Sequence, residues 1–345
     1  MNIAKFTISN DPDLYEAWPD VVLTPSGQLI CVFSECTHHC NRSYTRIMLT
    51  ESTDRGRTWS PKHPLTEGTR DLPYYYNCPR ISKLADNRLV VIVDKIPSSG
   101  ESNERQARNV MFFSSDEGKS WSAPQDTMLN GIVPDKVLQL ETGRMIIAAH
   151  YPYKERLTEF LRYSDDGGKT WSDEVMVAHD KRYDLCEASL LPMGNGVIVA
   201  FLRENSHRGF DCMKVISYDH GESWGPLVEF PLPGCHRPVT GWLQDGRIFI
   251  TFRFIQGGRR GFATQNFFAS ITDRASALAI RREDAGCRIM PIDYDASPKA
   301  DLGYSGWVQF PDGEIYIVHY IVDDAIDKGQ IRGYSMQPSA FFHNK

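Results

Sequence analysis

Short apolar runs alternate with polar two-residue turns along nearly the whole chain, in segments of strand length. Six times an apolar run leads into such a turn and a second apolar run leaves it. The turns are Ser26-Gly27, Asp86-Asn87, Thr142-Gly143, Asn195-Gly196, Asp245-Gly246 and Asp312-Gly313. Each pair reads as a β-hairpin, because these residues adopt the positive φ angles that tight hairpin turns demand. A third apolar segment follows in each module, as in residues 46–50, 110–113 and 160–163.

Four of the modules then close on one phrase. Ser52-Thr-Asp54-Arg-Gly56-Arg-Thr58-Trp59, Ser115-Asp116-Glu-Gly118-Lys-Ser120-Trp121, Ser164-Asp-Asp166-Gly-Gly168-Lys-Thr170-Trp171 and Ser217-Tyr-Asp219-His-Gly221-Glu-Ser223-Trp224 recur at intervals of 62, 50 and 53 residues. Ser and Asp side chains can bond backbone amides across a turn, Gly supplies positive φ, and Trp packs between neighbouring modules. These phrases are therefore read as turns and not as an active site. A fourth strand after each turn would give six four-stranded units, with a worn copy of the phrase at Ser270-Ile-Thr-Asp273 in the fifth. Repeats of this length that must hide their sheet edges predict an all-β, six-bladed β-propeller with four-stranded antiparallel blades. Residues 3–9 are expected to supply the strand that completes the last blade, making residues 1–345 one propeller domain.

Composition narrows the chemistry. With 41% hydrophobic residues and a net charge of −6, the chain has a core but no basic stripe, so nucleic acid is not an expected partner. No apolar run approaches a membrane span, and residues 1–10 lack an apolar signal region, which reads as a cytoplasmic chain. Eight cysteines, none in a CxxC pair, are too sparse for a disulfide scaffold. The one metal-like cluster, Cys36-Thr-His-His-Cys40, has no second ligand pair at matching spacing and reads as a solvated loop. No metal or other cofactor is implied.

In each hairpin the start of the first strand and the end of the second lie at the same end, so each blade offers two positions to one face of the ring. That rule selects Asp20 and Glu35, Arg80 and Lys95, Asp135, Lys136 and His150, Glu187 and Arg203, His236, Arg237 and Arg253, and finally Tyr304, His319 and Tyr320. Several arginines converging on an axis are costly unless carboxylates pair with them, either from other blades or from an anionic ligand. Guanidinium binds carboxylate bidentately, so the second alternative predicts an acidic substrate, with an acidic oligosaccharide or glycoconjugate as partner. Tyr304 with Glu187 is the sharpest pairing. A phenol has a pKa near 10 and attacks poorly at neutral pH, but a carboxylate in reach can take its proton, and nearby arginines favour the phenolate. A nucleophile that is neutral as a phenol also suits an anionic sugar, which would repel an attacking carboxylate.

The repeated turns, with Gly303-Tyr304-Ser305, Glu187-Ala-Ser-Leu-Leu-Pro, Arg203 sixteen residues on, and Gly234-Cys235-His236-Arg237, resemble the sialidase (neuraminidase) superfamily. The resemblance implies a retaining exo-glycosidase that removes a terminal acidic sugar, with Tyr304 as nucleophile and Glu187 as its base. It implies a carboxylate clamp from Arg203 with Arg237 or Arg253, supported by His236, and places a third arginine at Arg259 or Arg260. Two family features are replaced: Trp18-Pro19-Asp20 stands where the family has Arg-Ile-Pro, and residues 36–44 hold no Asp for the acid/base. His38 or His39, or Asp20, is then the expected proton donor, and Arg80 the expected substitute cation. A polysaccharide lyase for uronic-acid glycans uses the same residue types, and a glycan-binding propeller without catalysis would keep the pocket and lose the acid.

Overall fold

In the computed structural model, residues 3–98, 103–256, 264–325 and 327–342 are described. They form six four-stranded antiparallel sheets, five of which run in chain order from their first strand to their fourth. The first blade comprises Tyr15–Leu23, Leu29–His38, Asn41–Ser52 and His63–Pro64. The sixth begins with Leu302–Gln309, Ile315–Ile321 and Gln330–Met336, and its outer strand is Ala4–Ser9 from the opposite end of the chain. Ala4 pairs with Ser335 and Thr7 with Arg332, so the expected ring closure is present. Closure removes two sheet edges that would otherwise be open to pairing with another chain.

Among the described residues the hydrophobic core forms six clusters, five between two neighbouring blades and one that joins the sixth to the first and also takes in Cys78 and Val133. Val32, Ile47, Val91 and Phe112 join the first blade to the second. Leu161, Leu185, Ala200 and Met213 join the third to the fourth. Tyr15, Phe33, Tyr316 and Tyr320 join the sixth back to the first. Alternation along each strand sends one set of side chains to each neighbour, so every interior strand is apolar on both faces. Among the described residues no helix is long and apolar enough to cross a membrane.

The repeated turns behave as the phrase requires, with one change of register. In the first, the Ser52 hydroxyl donates to Asp54 Oδ1 at 2.8 Å and accepts from Gly56 N, while the Thr58 amide and hydroxyl donate to the two Asp54 oxygens. These donors, above all Thr58, bring the Asp54 pKa down to about 2. In the second copy the serine in this role is Ser114, two residues before Asp116, not Ser115. Gly56 O also accepts the Tyr316 hydroxyl of the sixth blade at 2.7 Å, so the turn ties adjacent blades together. The worn fifth copy has become a helix start: Asp273 caps Arg274–Leu278, accepting from Ser276 N.

Candidate active site

One backbone irregularity recurs in the innermost strands of five blades and in the segment before Leu138–Gln139 in the third, and it builds the site. Trp18, Cys78, Val133, Glu187, Arg237 and Tyr304 all have positive φ, between 43° and 55°. In five blades the strand register shifts at this residue, and Val133 follows the isolated bridge between Ile132 and His150. A β-bulge of this kind inserts one residue and re-aims its side chain, at a cost of about 1–3 kcal/mol for a left-handed non-glycine residue. Proline follows the strained residue in four of the six, at Pro19, Pro79, Pro134 and Pro238, where the strand ladder is already interrupted. The bulges thus form one ring of six equivalent positions. A second ring comes from the residues paired beside each bulge: Ser34, Asp94, His150, Arg203, Arg253 and Tyr320.

Blades four to six carry the chemistry on these rings. The Tyr304 hydroxyl donates to Glu187 Oε1, and Arg203 Nη1 donates to the same oxygen at 2.8 Å. Arg203 Nη2 donates to Asn205 Oδ1 at 2.5 Å. The Arg253 guanidinium lies 5.5 Å from the centre of the Tyr304 ring, donates to Leu302 O at 3.3 Å and stands 3.5 Å from His236 Nδ1. Gly303 permits this approach, since a Cβ there would lie 2.8 Å from that of Arg253. Glu187 Oε2, Arg203 Nε and Arg253 Nε are buried with no hydrogen-bond partner among the described residues.

Charge in the cluster is settled by burial against proximity. Burial works to raise the Glu187 pKa, but Arg203, His150, Arg237 and Arg253 bring it down to about 2. Burial and the Glu187 charge raise the Tyr304 pKa well above 10, outweighing Arg203 and Arg253. The phenol is therefore neutral and hydrogen-bonded to an ionised carboxylate. This reverses the expectation that the arginines favour a resting phenolate, because burial and the adjacent Glu187 charge together outweigh them. His236 is also neutral, since burial and the cations Arg203 and Arg253 push its pKa well below the usual histidine value.

Seven of the residues selected from the sequence have structural work to do. Arg80 and Arg237 are 2% and 0% exposed and donate to backbone carbonyls of other blades. Arg80 reaches Pro19 O and Ser305 O at 3.3 and 2.9 Å, and Arg237 reaches Ala188 O and Pro134 O at 3.4 and 2.9 Å. Asp20, also fully buried, accepts from the amides of Val21 and Ile81 and pairs with Lys136 at 2.9 Å. Gly306 gives it room, as a Cβ there would lie 2.0 Å from Asp20 Oδ1. His236 supports Arg253 from within the fifth blade. Glu35 is tied to Arg46 and Lys62, Lys95 lies over the Tyr74 ring, and His319 stacks on Phe267 between blades. Arg259 and Arg260 lie outside the described residues.

The first blade contributes a different group. His39 Nδ1 is hydrogen-bonded to Asp301 Oδ2, and its ring stands edge-on to Trp18 with centroids 5.4 Å apart. Asp301 also accepts from the hydroxyls of Tyr15 and Tyr320, at 2.5 and 2.9 Å. Arg42 covers the Trp18 indole at 3.9 Å and donates to Asn77 Oδ1 at 3.3 Å, with no carboxylate partner among the described residues. Sequence reasoning missed Asp301 and Arg42. Asp301 was within reach, as a charge just before the apolar run that opens the sixth blade at Leu302, three residues before Tyr304; Arg42 lies at the start of the strand Asn41–Ser52, where the polar stretch Asn-Arg-Ser-Tyr-Thr-Arg offers no apolar alternation to mark it. Among the described residues the one cluster of metal-type donors is Asp11, Glu16 and Glu35, and Lys62 Nζ occupies it within 2.8 Å of each. A cavity of about 530 Å³ lies at the other end of the strands, between the hairpin turns of blades three to five, and contains none of these groups.

The BNR repeat-like domain model matches residues 70–317, most of the ring just described. The chain belongs to the BNR repeat-like family. This BNR propeller is 25% identical over 213 residues to a sialidase of Paraclostridium sordellii, the match covering 52% of each chain. It therefore spans about half the length of that relative. Three solved structures share the fold. A protein of unknown function from Dyadobacter fermentans superposes with a TM-score of 0.76 at 19% identity, over 96% of this chain and 98% of that one. The Ruminococcus gnavus intramolecular trans-sialidase, solved with oseltamivir carboxylate, gives 0.70 at 15% identity over 96% of each chain. A Penicillium chrysogenum α-L-arabinanase bound to arabinobiose gives 0.66 at 14%, over 98% and 99%. At these identities the likeness speaks for a sialidase-like BNR propeller fold, and the arabinanase shows that the same fold serves neutral sugars too.

Proposed function

We propose that the chain is a retaining exo-glycosidase acting on a terminal acidic sugar, sialic acid or a close relative, with Tyr304 as nucleophile. The observation that carries this reading is the hydrogen bond from a buried neutral phenol to an ionised carboxylate, which Arg203 holds from behind. As the phenol oxygen attacks the anomeric carbon, Glu187 takes its proton, so no free phenolate need exist beforehand. Arg203 and Arg253 pair with the substrate carboxylate and orient the anomeric centre over Tyr304. Arg42 supplies further positive charge from the first blade. The sialidase name of the curated relative supports the acidic-sugar assignment. Arg80 and Arg237 serve from beneath, Arg237 helping to keep Glu187 ionised.

Replacing Tyr304 with Phe removes one oxygen and leaves the ring packing intact. Turnover of the 4-nitrophenyl α-glycoside of N-acetylneuraminic acid is expected to fall by at least about 1000-fold, with the melting temperature little changed. A 3-fluoro analogue of that glycoside should leave a sugar bound to Tyr304 in the mass spectrum. Undiminished turnover by the Phe variant sinks the mechanism. An unsaturated product absorbing in the ultraviolet would move the assignment to elimination on a uronic acid.

A further inference from the structure

We propose that His39, positioned by Asp301, is the acid/base that protonates the leaving group and later activates water. The proposal rests on Tyr304 being the nucleophile and supplies the proton-transfer group that this reading lacks. A retaining glycosidase needs a group to protonate the departing oxygen, and an unpaired carboxyl normally does so. The carboxylates around this axis are already engaged. Asp20 accepts from Val21 and Ile81, Asp94 from Val133, Asp135 from Leu190, and Glu159 from Ala188, all on backbone amides in buried positions. Glu187 belongs to Tyr304, while Glu16 and Glu35 hold Lys62. His39 combines a fixed orientation with access at this end of the ring. Its side chain is 40% exposed, and only Nδ1 is engaged.

The fixation comes from Asp301. Its carboxylate receives His39 Nδ1–H and the hydroxyls of Tyr15 and Tyr320, and Arg253 stands 3.8 Å away. Its backbone amide is held in turn by Asp295 Oδ2 at 3.0 Å. A carboxylate on Nδ1 selects the tautomer in which Nε2 is the exchangeable site, the logic by which an aspartate orients a catalytic histidine. Asp301 is three residues from Tyr304, and Tyr320 touches both groups, with its ring centroid 6.3 Å from that of Tyr304. Acid/base and nucleophile therefore sit on one rigid frame although His39 belongs to the first blade. Trp18, at the first position of the bulge ring, is the surface against which the imidazole stands.

In the first step the imidazolium Nε2–H passes its proton to the glycosidic oxygen as that oxygen leaves the anomeric carbon. The Tyr304 oxygen bonds to the same carbon, and Glu187 takes the phenolic proton. In the second, neutral Nε2 takes a proton from water, whose oxygen attacks the anomeric carbon. The bond to Tyr304 breaks, and the phenolate recovers its proton from Glu187. One water is consumed, and His39, Tyr304 and Glu187 return to their starting forms. Asp301 remains ionised throughout.

The test compares His39→Ala with the wild type on the methyl and the 4-nitrophenyl α-glycosides of N-acetylneuraminic acid. The methyl glycoside, a poor leaving group, should lose about 100- to 10,000-fold in kcat/KM. First-turnover release of 4-nitrophenol should stay within about tenfold of wild type. A glycosyl-Tyr304 adduct should accumulate, and added azide should discharge it as the glycosyl azide. Equal losses on both glycosides without an adduct, or no loss on either, overturn the assignment. If Tyr304→Phe is inactive while His39→Ala is not, the nucleophile stands and the dyad falls; if Tyr304→Phe is active, the underlying reading falls as well.

Asp301→Asn should move the basic limb of the kcat/KM pH profile to lower pH. The groups facing His39 that set this limb are Asp301, Tyr15, Tyr320, Arg253 behind Asp301, Arg42 over Trp18, and His38 and Cys40 in its own loop. A readout independent of any sugar is nitrogen-15 NMR of the His39 ring. Neutral imidazole protonated on Nδ1 in the wild type, and no longer so in Asp301→Asn, is the expected result. The opposite tautomer in the wild type refutes the dyad.

Discussion

The two halves of the ring share one backbone and differ in what they do with it. Blades four, five and six place Glu187, Arg237 and Tyr304 on the bulges, with Arg203, Arg253 and Tyr320 beside them. Blades one to three place Trp18, Cys78 and Val133 at the same backbone positions, with Ser34, Asp94 and His150 beside them. In the second half the polar groups turn inward to backbone amides: Asp94 accepts from Val133 N, and His150, its pKa lowered by burial to about 4, stands neutral behind the Glu187 amide. A strained left-handed residue is thus not itself the mark of a catalytic group here. The strain re-aims a side chain toward the axis in every blade, and the side chain decides whether that position reacts or packs.

The largest break in this comparison should come from Glu187→Gln. It keeps the shape of the bulge residue but removes the proton acceptor, so kcat is expected to fall about 100- to 10,000-fold on the 4-nitrophenyl sialoside. Arg203 would keep Asn205 and lose its counter-charge, so a fall in melting temperature should accompany the kinetic loss.

A smaller effect, on stability alone, is expected at Glu159 in the third blade. Burial raises its pKa from 4.5 to about 8, more than its hydrogen bond from Ala188 N lowers it. A carboxyl with a raised folded pKa binds its proton more tightly folded than unfolded, so stability falls as pH rises from about 4.5 to about 8. Glu159→Gln should flatten the pH dependence of urea unfolding in that window. It should gain on the order of a few kcal/mol over the wild type above pH 8. An unchanged slope would mean that Glu159 is ionised and paired in the fold.

The smallest effect should come from Cys78→Ala, at the second-blade counterpart of Glu187. Activity is expected within about twofold of wild type and stability within about 1.5 kcal/mol, since a small buried group is trimmed and no charge is touched. A large kinetic loss there would erase the distinction between the two halves.

The residues that meet at the Tyr304 cluster were legible in the later blades, and those of the first two were misread, for one reason. Glu187, Arg203, Arg253 and Tyr304 end or begin apolar runs and fall on the rings. In blades one and two the same rule chose Asp20 and Arg80, which lie two residues beyond the bulge and one level deeper. The bulge inserts a residue that strand periodicity does not anticipate, and a shift of one position reverses the face on which a side chain emerges. A signal was present, because Pro19, Pro79, Pro134 and Pro238 interrupt apolar strands where an unbroken ladder would exclude them. Blades four and six have Ala188 and Ser305 there instead, which hid the sixfold pattern.

What the chain determined by itself was local. Turn residues, strand-length apolar runs and the repeated Ser/Asp/Gly/Trp phrase specify hairpins through short-range backbone preference, and six of them with a spare first strand are enough to imply a closed ring. Tertiary structure alone decided which charges gather around Tyr304 and which are consumed as ties between blades. That depends on distances between groups far apart in the chain, such as Tyr15 with Asp301, 286 residues apart, and on burial, which turns a phenol, a carboxylate and an imidazole into groups with different protonation. Neither is encoded within one hairpin, because electrostatic energy follows separation in space and not along the chain.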